Sequence, residues 1–268
     1  MNGIDYSWAR PGGAAIKAAG FDFVARYVPY PGDTGKGLDV AELADLRANG
    51  LGVGLVFEST ANRALEGFTV GIADALTCLH AVKALGFPDS RPIYFAVDFD
   101  AQPGQYSVID AYLQGAASVM GFSRIGVYGS YNVVKHCADY GTARWFWQAK
   151  AWSGGHHFEG RHLYQSEFGQ FINGGEVDFN VAYAADFGQW PAEESMADLA
   201  EVIQMLGGMD AVRAWNAKGN IGLLPAFAAE QKLRGETTNA VNSRVKLLDD
   251  HIANHGAQNG QRHARLRH

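Results

Sequence analysis

The chain has 268 residues, with 28 acidic side chains against 22 Lys and Arg and a formal charge of -6. That balance argues against nucleic acid as the main partner, while 47% apolar content supports a sizeable core. The length fits one barrel with an appendage or two domains, and no apolar run is read as reaching the ~18 residues of a membrane span. Cys78 and Cys137 lie in helix-like runs and read as buried free thiols rather than a disulfide. Met1 runs almost directly into a strand-like segment, so no signal peptide is expected. The expectation is a protein that is either cytoplasmic or leaves its cell by a route the sequence does not encode.

Gly3 to Trp8 reads as the first strand, with Asp5 and Ser7 on one face. Pro11-Gly12-Gly13 turns the chain into a helix through Ala19, and Phe21 to Val28 is the second strand. Val40 to Asn49 is a helix stopped by Gly50, a residue suited to a helix C-terminus. In the third strand, Leu51 to Ser59, the residues Val53, Leu55 and Phe57 face one way, and Gly52, Gly54, Val56 and Glu58 the other. Thr69 to Leu85 is a long helix. Pro92 to Asp100 is the fourth strand, with Ile93, Phe95, Val97 and Phe99 alternating against Tyr94, Ala96, Asp98 and Asp100. Gly104 to Met120 is its helix, Arg124 to Ser130 the fifth strand, Tyr131 to Asp139 a short helix and Arg144 to Ala151 the sixth strand. His162 to Phe168 and Glu176 to Ala182 then follow as strands joined by Gly-rich loops.

Five βα units followed by three strands argue for a parallel sheet covered by helices and closed into an α/β barrel of the TIM-like (β/α) type. No GxGxxG follows the first strand, which counts against a doubly wound dinucleotide fold. The barrel domain is expected over 1–190 and a helical C-terminal region over 191–268, ending in a disordered basic tail. Within that region Val241, Val245, Leu248 and Ile252 recur at spacings of four, three and four. This is a short heptad seam for a homo-oligomeric coiled coil, or an amphipathic helix packed back on the barrel. His156, His157 and His162 lack the spacing of a metal-ligand motif, so no metal and no cofactor are expected.

The fourth strand carries the chemistry. Asp98 and Asp100 sit after a small Ala at its C-terminal end, where barrels of parallel strands build active sites. Carboxylates two residues apart share a face and repel, which splits their pKa values as a glycosidase requires. The alternative is a pair of solvated or helix-capping aspartates.

Several strand ends resemble a known family. Gly3-Ile4-Asp5-Tyr6-Ser7 is similar to an opening G-I-D-x-S, and Tyr94 through Asp100 to a D-x-E strand. Gly126-Val127-Tyr128-Gly129-Ser130 is similar to G-x-Y-x-S, Trp147-Gln148-Ala149 loosely to W-x-A-Q, and Val177-Asp178-Phe179-Asn180 to a closing V-D-x-N. In this order the fragments resemble glycoside hydrolase family 25, the lysozyme-type muramidases. They are nearest to the glycoside-hydrolase-like domain of the domain-of-unknown-function 1906 type, found in actinobacterial cell-wall-associated proteins and phage lysins. The resemblance implies a barrel of five βα units plus three strands, a peptidoglycan or related glycan as partner, and cleavage of its β-1,4 bonds as an endolysin would. One departure stands out: the muramidases carry Glu as proton donor where this chain has Asp100, one methylene shorter. A catalytically inactive barrel, serving as a carbohydrate-binding or virion structural module, is therefore the alternative.

The resemblance implies that Asp5, Asp98, Asp100 and Asp178 converge at the mouth of the barrel, joined by Glu58. Asp100 or Glu58 would be the acid, Asp98 the partner orienting an N-acetyl group or water, and Asp178 an electrostatic supporter. Asp5 would hold the site together, or be structural. Should Glu58 be structural too, Arg26 on the second strand is its expected counter-ion. Tyr6, Tyr27, Tyr94, Tyr128, Trp147, Trp152 and Tyr164 supply an aromatic lining, or pack in the core. Trp147 is expected to face outward with Trp145. Tyr6, Tyr94, Tyr128, Gln148, Gln165 and Asn180 are the candidate substrate-binding residues.

Overall fold

In a computed structural model the structure describes residues 1–191. The helices expected beyond Trp190, with the seam of Val241, Val245, Leu248 and Ile252, lie outside the described residues. Eight strands form a closed barrel in sequence order. They are β1 (Asn2–Asp5), β2 (Phe23–Tyr27), β3 (Gly52–Phe57), β4 (Ile93–Ala96), β5 (Ile125–Gly129), β6 (Trp145–Ala149), β7 (Leu163–Ile172) and β8 (Gly175–Ala182). Five helices follow the first five strands: α1 (Gly13–Ala18), α2 (Val40–Ala48), α3 (Phe68–Leu85), α4 (Tyr106–Met120) and α5 (Tyr131–Tyr140). This is the TIM-like arrangement expected from the sequence, with one difference in direction. The strands β1 to β7 pair in parallel, whereas β8 is antiparallel to both β7 and β1.

The cause is the short connection between β7 and β8. A parallel return needs a crossover of a dozen or more residues, whereas a two-residue turn forces antiparallel pairing. Asn173 and Gly174 make that turn with φ of 47° and 78°, the positive values that Asn-Gly supplies at least cost. The hairpin is longer than the sequence reading allowed, because β7 runs on to Ile172 rather than stopping at Phe168. Register shifts between Gln165 and Gln170 bend it.

Strand alternation sorts the core into two layers. Ile4, Val24, Val53, Leu55, Phe57, Ile93, Phe95, Val97 and Val127 face the helices. Phe23, Ala25, Val56, Tyr94, Ala96, Tyr128, Trp147 and Leu163 fill the barrel interior. Trp147 therefore points inward, contrary to expectation. Its indole sits 5.7 Å from the Tyr94 ring and 4.9 Å from Tyr128, both edge-on, the geometry that aromatic quadrupoles favour. Both cysteines are buried free thiols.

Among the covering helices, α3 corrects the reading of apolar runs. At 18 residues and mean hydropathy 1.4 it is long and apolar enough by composition to cross a membrane. In the barrel it buries Ala75, Cys78, Val82 and Leu85. It meets α4 through two glycines: a Cβ on Gly71 would collide with the Tyr112 carbonyl, and one on Gly115 with the Phe68 carbonyl. The helix backbones approach too closely for any side chain there.

The segment after β8 closes the base of the barrel. Phe187 is fully buried in the interior layer, with its ring 4.4 Å from Phe23. The Tyr94 hydroxyl donates to the Phe187 carbonyl at 2.6 Å. Trp190 and Val53 exchange backbone hydrogen bonds of 2.7 and 2.9 Å. Phe187→Ala is expected to leave a cavity beneath Tyr94 and to cost about 3–5 kcal/mol. Urea unfolding should show this as a lower midpoint with an unchanged slope.

Candidate active site at the barrel mouth

Residues within the strands, among them Asp5, Tyr27, Tyr128, Trp147, Gln165 and Asp178, join Glu58, Asp98 and Trp152 just past strand ends to surround a cavity of about 260 Å³ at the mouth. Asp5, Glu58, Asp98 and Asp178 supply carboxylates, and Tyr27, Tyr128, Trp147, Trp152 and Phe168 supply rings. Gln165 completes the polar lining. A neighbouring cleft of about 570 Å³ shares Asp5, Tyr27 and Asp178, and runs out between Ser7 and Trp8 on one side and the β8 end of the hairpin on the other.

The buried side of the cavity is a hydrogen-bonded chain. Trp147 Nε1 donates to Asn180 Oδ1 at 2.9 Å, and Asn180 Nδ2 donates to Asp5 Oδ2 at 2.6 Å. Gln165 Nε2 donates to Asp5 Oδ2 at 2.9 Å and to Asp178 Oδ2 at 3.1 Å. The Tyr128 hydroxyl donates to Gln165 Oε1 at 2.8 Å, which fixes the amide so that its nitrogen faces the two carboxyls. Gly169 N–H, from the bent part of β7, donates to Asp178 Oδ1 at 2.9 Å.

Burial pushes the Asp5 carboxyl up to about 7, with the nearby Asp178 adding to it and the Asn180 and Gln165 amides opposing. Burial also raises Asp98, assisted by Glu58 and partly offset by the Tyr128 hydroxyl and Lys36. Asp178 is raised by burial against the Gly169 hydrogen bond. Glu58 is ion-paired with Lys36 at 2.9 Å, both side chains mostly buried, and the Lys36 amine lies 3.9 Å from the centre of the Tyr27 ring. Such a mouth can hold one carboxyl protonated near neutral pH beside others that are ionised, the requirement of glycosidic chemistry.

Several expected positions are corrected. Asp100 does not line this cavity. The β4 ladder ends at Ala96, Asp98 N–H turns to the Ala61 carbonyl at 3.1 Å, and a tight turn closes from Ala101 N–H to the Phe99 carbonyl at 2.8 Å. Alternation stops there, and Asp100 is exposed in a separate pocket with Tyr106, Asn132 and His136. Arg26 is not the partner of Glu58. It is fully buried and binds Glu42, with Nε to Oε1 at 2.9 Å and Nη2 to Oε2 at 3.2 Å. Tyr6 lines the neighbouring cleft, while its hydroxyl donates to Glu42 Oε1 at 2.8 Å behind the mouth. Tyr94 lies deep in the interior on Phe187. Gln148 faces away from the cavity, with Nε2 on the His156 carbonyl at 2.7 Å and Oε1 accepting from Phe158 N–H at 2.8 Å. Asn180 touches Asp5 from below. Lys36 and Phe168 were missed: one lies in an irregular loop, and the other is turned to the mouth beside the Gly169 bend, which has no periodic signal.

Residues 14–182 match the family described as the Rv2525c-like, glycoside hydrolase-like domain. The chain belongs to that family. Crystal structures of another protein of this kind, the Tat-secreted Rv2525c of Mycobacterium tuberculosis, were obtained in complex with L-tartrate and with HEPES. This chain is 30% identical to it, covering 70% of this chain and 98% of that one, with a TM-score of 0.66. An uncharacterized protein of Bacillus subtilis, FadG, is 32% identical over 139 residues, which is 48% of this chain and 24% of that protein. This chain thus matches about a quarter of that relative's length. A bacterial lysozyme from Streptomyces coelicolor is more distant, at 14% identity over 69% of this chain and 92% of that one, with a TM-score of 0.46. The expectation of a cytoplasmic protein is overturned by the likeness to Rv2525c, since that protein is Tat-secreted.

The raised Asp5 has a consequence for stability. The folded protein keeps this proton up to about pH 7, whereas the unfolded chain releases it near the ordinary 3.8. Stability from Asp5 is therefore fully present below the lower value and is lost as pH rises through the upper one. Asp5→Asn titrates no proton and still offers an oxygen to both amides. Its melting temperature relative to wild type should climb from about pH 4 to about pH 8, read by differential scanning calorimetry.

Proposed function

We propose that the protein is a glycoside hydrolase acting outside the cytoplasm on a β-1,4-linked N-acetylated glycan of the cell-wall type. The observation that carries this reading is the mouth cavity itself, with Asp98 half-buried at its wall and a carboxyl raised by burial and by Glu58. Family membership and the likeness to a secreted relative support it.

In this reading Asp98 is the general acid. Its proton passes to the leaving glycosidic oxygen, a transfer that needs a carboxyl still protonated near the working pH. The Lys36-paired Glu58 faces the positive charge developing on the sugar ring and takes the proton of the water that bonds to the anomeric carbon as the glycosidic bond breaks, with Asp178 beside it. Asp5, almost fully buried and bound by two amides through one oxygen, holds Gln165 and Asn180 in place. Asp100 has no part in the transfer, because it lies in another pocket.

A second reading has a specific observation behind it. The position that carries the muramidase proton donor is occupied by Asp100, outside the cavity, which suits a barrel that binds glycan without cutting it. Release of reducing ends from purified peptidoglycan separates the two. Asp98→Asn should lower the rate by roughly two to four orders of magnitude, with Asp100→Asn near wild type. A wild type that binds the glycan with no release of reducing ends establishes the binding module instead.

A further inference from the structure

The turn after β6 holds Trp152 at φ 53°, a left-handed backbone that glycine adopts freely and a bulky aromatic residue does not. The residue is 42% exposed and lines the mouth cavity together with the carboxylates of Asp5, Glu58, Asp98 and Asp178. Core packing does not explain a large ring held in a strained backbone and left so exposed. Strain of this kind persists where surrounding structure enforces it, and it gathers at ligand clamps.

The enforcing structure is a buried polar knot. Ser153, 4% exposed, donates from Oγ to the Ala149 carbonyl at 2.6 Å and accepts from Tyr131 N–H at 2.8 Å and Gln148 Nε2 at 3.1 Å. Gln148, fully buried, ties the far side of the loop through the His156 carbonyl and Phe158 N–H. Ser153 N–H closes the turn on the Lys150 carbonyl at 3.3 Å. Every polar atom of the two side chains is spent on the loop that carries Trp152, anchoring it to β6 and to the start of α5.

We propose that Trp152 is the platform on which a sugar ring of the glycan stacks at the mouth, and that Gln148 and Ser153 are positioning residues that hold it there. This rests on the reading of the mouth as a glycan site. A pyranose presents an axial C–H face that packs on an indole while its hydroxyls reach outward, here toward Asp98 and Asp178. The rim then fixes the plane of the ring before any proton moves.

Calorimetric titration with a tetramer of β-1,4-linked N-acetylglucosamine tests this, with purified peptidoglycan as a second probe. Trp152→Ala should weaken binding by roughly tenfold, and Trp152→Phe should keep most of it. Trp152→Gly should weaken binding as much as Ala while raising the melting temperature, because glycine relieves the left-handed strain; a merely structural tryptophan would not give opposite signs. Ser153→Ala should weaken binding in the wild-type background and cost nothing further in Trp152→Ala, the mark of a residue acting through another. Wild-type affinity in Trp152→Ala or Trp152→Gly overturns the platform. Equal losses from Ser153→Ala in both backgrounds overturn the positioning role. A wild type that binds neither probe overturns the glycan reading and the platform together.

Discussion

Asp5 and Asp178 stand directly opposite each other where β8 runs antiparallel to β1. Like charges in that position repel, and here the repulsion sits in a partly closed cavity where water cannot screen it well. The structure relieves it in two ways. Asp5 retains a proton toward neutral pH, and the Gln165 amide is placed between the two carboxyls and donates to both. Tyr128 orients Gln165, Asn180 supports Asp5, and Trp147 supports Asn180. Strands β1, β5, β6, β7 and β8 are thus joined by one chain of donors and acceptors at the seam where the barrel closes. A buried network of this kind, in which both side-chain amides are held at the oxygen and the nitrogen, specifies one arrangement of the groups it joins.

Behind the mouth a second buried cluster sets the opposite wall. Arg26 grips Glu42 with both ends of its guanidinium fork, and also binds the carbonyls of Tyr6 and Lys36. Arg10 adds a further contact to Glu42 at 3.1 Å. The hold on the Lys36 carbonyl helps to fix the loop that presents the Lys36 amine to Glu58, together with the Asp33 carboxylate, which accepts from the N–H groups of Gly35, Lys36 and Gly37. Removing one partner of such a pair typically costs about 3–5 kcal/mol, since the other charge is left buried alone. The electrostatics of the mouth therefore depend on residues that never line it.

The layers of the barrel were legible because alternation is a local property. Ile93, Phe95 and Val97 against Tyr94 and Ala96 divide between helix-facing and interior cores as their spacing indicates. The same rule failed at Asp100 because alternation holds only while the ladder does, and the ladder ends four residues earlier, at Ala96. Trp147 was misplaced by its flanking aromatics, though its strand phase with Ala149 pointed inward. The counter-ion of Glu58 was illegible for another reason: Arg26 and Lys36 lie in one stretch of sequence, and only the buried demand of Glu42 decides which cation goes where. Asn173-Gly174 was readable as a hairpin turn. The bend that brings Phe168 to the mouth depends on Gly169 at φ 65°, and the sequence gives it no distinct mark.

The pairing of β1 with β8 joins Asn2 to Val181 and Asp5 to Asp178, and the amino terminus itself lies 3.4 Å from the Ala182 carbonyl. Contacts this distant along the chain are slow to form, because the loop must close before they return any energy. Without β8, the other seven strands would leave two bare edges, β1 and β7. Unpaired edges recruit strands from other molecules. The Asn173-Gly174 turn limits that exposure: it delivers β8 against β7 at once, and one strand then covers both edges.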